Sequence, residues 1–62
     1  MIDKFFESLQ SEGFVYSNNE YSRKEGNYIE TYSRSEKDDE VIHRLIEHSG
    51  AIYMEETITL TF

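Results

Sequence analysis

Apolar side chains at the start of the chain recur with the spacing of one helix face. Ile2, Phe5, Phe6 and Leu9 stand at i, i+3, i+4 and i+7, and Lys4, Glu7, Ser8 and Gln10 fall on the other side. This predicts an amphipathic helix ended by Gly13, because a glycine just past the last apolar position suits the left-handed conformation of a helix C-terminus. Asp3 is available as an N-cap or as a first-turn acid favoured by the helix dipole.

From Phe14 the period changes. Phe14, Val15 and Tyr16 open an aromatic, β-rich stretch that runs to about Arg34 and is broken by two sets of turn residues. Asn18-Asn19 is one turn. Glu25-Gly26-Asn27 is the other, joining Tyr21–Lys24 to Tyr28–Ser33 as a hairpin. On a strand, Tyr28, Glu30 and Tyr32 share one face and Ile29 and Thr31 the other.

Residues 35–47 admit two readings. Val41, Ile42, Leu45 and Ile46 lie at i, i+1, i+4 and i+5, a helical stripe stopped by Gly50, with Ser35 and Asp38 placed as a shortened capping box and the acids at 38–40 in the first turns. Against this, Val41, Ile42 and Ile46 are β-branched, and turns at 37–39 and 48–50 would make residues 40–47 another strand. The last segment reads as a strand either way, with Ile52, Met54, Ile58, Leu60 and Phe62 on one parity and Thr57, Thr59 and Thr61 on the other. The expected fold is α+β, a small antiparallel sheet packed on one or two helices, αββαβ, with αββββ as the alternative.

Size restricts the picture further. A chain of 62 residues has room for one core, so residues 1–62 are expected to form a single domain, and area burial in so small a core barely exceeds the entropy of ordering it. There is no cysteine, which removes disulfides and thiolate-held zinc; with His43 and His48 the only imidazoles, no metal and no cofactor are expected. Self-association is the remaining reinforcement, and a homodimer is expected. Charges at positions 3, 4 and 7 interrupt any secretory h-region, and the longest apolar run, Ala51–Met54, is far short of a membrane span. The expected location is the cytoplasm.

Charge then divides the chain. Thirteen acids against six bases give −7, which disfavours nonspecific binding to nucleic acid or an anionic membrane. Residues 21–37 hold four bases and three acids, +1, leaving −8 on the rest. That one segment also carries Tyr21, Tyr28 and Tyr32 beside Arg23 and Arg34, residue types that favour interface hot spots and equally suit cross-strand pairs within a sheet.

The candidate chemistry is thin. His43 and Glu47 share a face of a helix, but His48 lies about 140° round, so the three do not converge, and no nucleophile elbow, phosphate loop or zinc-protease spacing is present. No catalytic residue is assigned and no enzyme is expected. Glu56 poses a question, because it falls on the apolar parity between Met54 and Ile58; a strand break at 55–56 or a place at the sheet rim would answer it.

The expected function is that of a small acidic accessory protein that binds another protein, including the form of a DNA mimic or inhibitor that occupies the basic site of a nucleic-acid-binding partner. Small acidic proteins of phages and mobile elements include such inhibitors, a likeness of size and charge only. The candidate binding residues are Tyr21, Arg23, Tyr28, Tyr32 and Arg34 on the tyrosine-rich surface and Asp38, Asp39, Glu40, Glu55 and Glu56 on the acidic one. A nucleic-acid-binding or regulatory module using the hairpin is the alternative.

Overall fold

The structure is a computed structural model that describes residues 2–38 and 40–60, without the Ile2 side chain. Expectations placed on Asp39, Thr61, Phe62 and the Ile2 side chain lie outside the described residues. The chain forms a helix, α1 (Ile2–Ser11), then β1 (Val15–Ser17), β2 (Glu20–Glu25), β3 (Tyr28–Arg34), β4 (Val41–His48) and β5 (Ala51–Thr59). The five strands make one antiparallel meander in chain order, with α1 on one face.

The helix follows its pattern. Phe6 and Leu9 are buried at 5% and 4% exposure, and Lys4, Glu7, Ser8 and Gln10 face solvent. Its end is a Schellman motif: the Phe14 N–H reaches back to Leu9 O at 3.0 Å, the Gly13 N–H to Gln10 O at 3.1 Å, and Gly13 sits at φ +98°. The hydrophobic contact that accompanies such a cap is present as well, since Phe14 and Leu9 belong to the same core cluster. With Ile42, which is fully buried, these residues form the core; Phe5, Tyr21, Tyr32 and Leu60 pack around it.

Residues 41–48 are a strand, which corrects the αββαβ expectation; αββββ is closer, and with residues 15–17 paired to β2 the order is αβββββ. The residues that looked like a helix N-terminus organise a loop. Ser35 Oγ accepts from the Lys37 N–H at 3.2 Å, and Asp38 Oδ1 accepts from the Glu40 N–H at 2.9 Å. Such turns use the same side-chain chemistry as a helix cap. The β-branched residues then pair in register on both sides, Ile42 with Arg34 and Ile58, and Ile46 with Glu30 and Met54.

Three turns have two residues. Asn18-Asn19 and Ser49-Gly50 have positive φ at both positions, the type I′ pattern that matches strand twist; in the Gly26-Asn27 turn only the glycine has positive φ.

The pairing fixes two faces. Toward the helix point the rows Tyr21–Tyr32–Arg44–Glu56 and Arg23–Glu30–Ile46–Met54. On the open face run Lys24–Ile29–Glu47–Ile52, Ser22–Thr31–Leu45–Glu55 and Glu20–Ser33–His43–Thr57. A register shift opposite Ile46 and Glu47 leaves Tyr53 as an extra residue, so Ile52 and Met54 stand on opposite faces instead of sharing the parity expected of them.

Candidate functional site

Both arginines of the tyrosine-rich hairpin turn toward the helix. Arg34 reaches Asp3 in the first turn of α1 at 2.8 Å, with its guanidinium 5.2 Å from the centre of the Phe6 ring. Arg23 donates to the Glu12 carbonyl at 3.0 Å and lies 4.5 Å over the Phe14 ring. One cation thus meets each end of the helix: Arg34 with a first-turn acid, Arg23 with a carbonyl at the negative end of the dipole. Tyr21 stacks on Phe6 at 4.7 Å, and Tyr32 meets Phe5 and Phe14 edge to face. Four of the five residues expected on a tyrosine-rich binding surface therefore contact the helix and the segment that follows it.

The fifth, Tyr28, stands apart at the far end of the sheet. It is 43% exposed, with the His48 ring 4.5 Å away and Tyr53, itself 66% exposed, edge-on at 5.8 Å. Tyr53 belongs with it and was not among the expected residues; its only advance signal was an aromatic in the last strand.

The chief ionic network is built around Arg44, which the sequence reading did not single out. Its Nε and Nη2 donate to Glu30 Oε2 at 2.9 and 2.6 Å, Nη1 to Glu56 Oε1 at 2.7 Å, and Nε also to the Tyr32 hydroxyl at 3.1 Å. Glu30 is held from the other side by Arg23 at 3.8 Å. The two glutamates raise the Arg44 guanidinium further above its usual range. Burial pushes the Tyr32 phenol up, the Arg44 hydrogen bond pulls it down, and the Glu30 charge adds to the rise.

Glu56 is thereby explained. It lies on the helix-side parity because a cation waits there on the neighbouring strand, and the irregularity in β5 falls near Tyr53 rather than at 55–56. Glu55 faces the other way, exposed on the open face beside His43, whose ring nitrogen is 3.4 Å from Thr57 Oγ1. With Glu20, Ser33 and Thr57 these residues line a shallow polar trough. His43 and Glu47 share the open face and His48 lies on the other, so strand geometry also keeps the three apart. Asp38 and Glu40 are exposed in the loop between β3 and β4, and Glu36 there lines the same depression as Glu20.

The pairings set the character of the exterior. The three arginines engage Asp3, Glu30 and Glu56. Ten carboxylates and three lysines remain, and of the nine carboxylates among the described residues all are exposed except the half-buried Glu47. The expected acidic residues that are described, Asp38, Glu40, Glu55 and Glu56, do not converge on one spot; they lie in a loop, on the open face and in the Arg44 network. Among the described residues no helix is long and apolar enough to cross a membrane, and no three His, Asp or Glu side chains group as a metal site. No protein-family model matches the chain, and no curated protein or solved structure shows significant similarity to it.

Proposed function

We propose that the chain is a small cytoplasmic binding protein, without catalytic activity, whose carboxylate-bearing exterior engages a basic site on a partner protein, in the manner of a DNA mimic or inhibitor. The supporting observation is the pairing of all three arginines with Asp3, Glu30 and Glu56, which leaves only lysines as the cations among the remaining carboxylates. A phosphate-binding groove attracts such a charge distribution at long range, and the attraction weakens with salt. Glu20 and Glu36 line one depression, which Arg34 and Lys37 also line, and Glu40 stands in the adjoining loop; these three carboxylates are the ones the test addresses.

Capture from a cytosolic extract tests the reading. The immobilised protein should retain nucleic-acid-binding proteins that are released by salt and displaced by excess duplex DNA. Glu20→Gln, Glu36→Gln and Glu40→Gln combined should weaken retention by about tenfold at low salt, as expected for several long-range charges acting together. Retention indifferent to salt, to DNA and to the triple variant would remove this reading. Retardation of DNA or RNA by the chain itself, lost on changing Lys4, Lys24 and Lys37 to alanine, would replace it with the nucleic-acid module; Arg23 and Arg34 are unsuitable for that test because they hold the helix.

A further inference from the structure

The helix covers one face of the sheet and leaves the other bare. The bare face carries Val15, Ile29 and Ile52 at 64%, 38% and 62% exposure and the half-buried Leu45, while the buried apolar core among the described residues consists of Phe6, Leu9, Phe14 and Ile42. Its charges follow a pattern. On β2 stand Glu20 and Lys24, on β4 His43 and Glu47, and on β3 between them only Ile29, Thr31 and Ser33. Lys24 shares a cross-strand row with Glu47, and Glu20 shares one with His43.

We propose that two copies of the chain associate through this face, stacked sheet on sheet about a two-fold axis that runs along β3. Such an axis exchanges the strands on either side, so β2 of each copy lies over β4 of the other and each row meets itself. Lys24 then faces Glu47 of the second copy, Glu20 faces His43, and Ser22 faces Leu45. Ile29 packs on its own counterpart near the axis, next to Thr31, which is already buried within each copy. At the rim Val15 lies over Glu55 of the other copy, on the edge strands, where the carboxylate keeps its water. Sheets stacked about 10 Å apart interdigitate in this way, with a crossing of about 30° that the side chains absorb.

The placement of Lys24 and Glu47 singles out a second copy as the occupant, because a cation and an anion that exchange under a two-fold rotation meet each other twice. Size favours it as well. Five strands at about 4.8 Å spacing and roughly 20 Å in length give a projected footprint on the order of 500 Å2, somewhat below the ~800 Å2 per partner of a standard stable interface. The association is accordingly reversible, with a dissociation constant in the micromolar range or weaker.

Salt separates this association from acidic-site binding. Two copies each at −7 repel at long range, so screening strengthens the dimer, whereas it weakens attachment to a basic partner.

Sedimentation velocity over concentrations from micromolar to submillimolar, at low and at high salt, tests the proposal. A reversible dimer that tightens with salt is expected. Lys24→Glu and Glu47→Lys each oppose like charges twice across the symmetric interface and should weaken dimerisation by about tenfold, and the two combined should restore it to within about threefold. Ile29→Asp, at the axis, should abolish it, with circular dichroism confirming that the strands remain. A folded chain that stays monomeric at high salt overturns the proposal, as does a dimer indifferent to Ile29→Asp or a double variant no better than its parents.

Discussion

Removing the Arg44 guanidinium would leave Glu30, 20% exposed at its side chain, with Arg23 as its remaining, more distant cation and the Tyr32 hydroxyl at 3.4 Å. A half-buried ion pair is destabilising to break, because the stranded charge keeps part of its desolvation penalty. Arg44→Ala is therefore expected to cost about 2 to 3 kcal/mol in urea denaturation. Arg34→Ala removes a pair whose acid, Asp3, is 80% exposed, and should cost below about 1 kcal/mol from the charge, with a small addition from lost packing on Phe6. The Tyr32 phenol beside this network adds a pH dependence. Its affinity for the proton is raised above the ordinary value of 10.0, first by burial, so the folded state holds that proton more tightly than the unfolded chain does. The stability this contributes is present below pH 10 and is lost as the pH rises through the folded value. Melting temperature should decline above pH 10, and Tyr32→Phe should decline less steeply; equal slopes would show that the phenol is not the cause. Glu56 marks how far single residues are legible. Its parity showed that something was odd, but a cation one strand away has no trace in the periodicity of β5.

At the scale of elements, local chemistry and tertiary pairing part company at one place. The helix α1 was readable because its stripe, its terminal glycine and the aromatic after it all point to the same geometry. Residues 41–48 were not, because Val41, Ile42, Leu45 and Ile46 fit a helical face and Ser35 and Asp38 have the spacing of a cap. Pairing with β3 and β5 decided the matter, and no local window contains those partners. The turns were legible as turns, since each holds an asparagine or glycine, the residues that most readily take positive φ. Ser49 occupies that region at φ +52°, where serine is disfavoured, and Gly50 at +84° has no atom near the place of a side chain. Ser49→Asn should stabilise by roughly 0.5 kcal/mol, and Gly50→Ala should destabilise by about 1 kcal/mol through the backbone alone. Thermal unfolding of the two variants reads both signs.

Across the whole molecule, the division of charge into a tyrosine- and arginine-bearing segment and an acidic remainder is a feature of the sequence; its meaning came from the fold. The hairpin arginines attach the helix, so cations that looked available to a partner are engaged within the chain itself. Two surfaces of different character remain, the carboxylates around the loop between β3 and β4 and the bare face of the sheet, and their opposite responses to salt allow each to be followed without disturbing the other. The order of the strands has a further consequence, for the way the chain acquires its structure. In a meander every strand pairs with its neighbour in sequence, so hairpins can zip one after another without closing long loops, which favours rapid assembly. The seat of α1, however, includes Ile42 from β4 and Leu60 beyond β5. During synthesis the helix emerges before the strands that complete its docking surface, which ties it to segments made later in a single cooperative step.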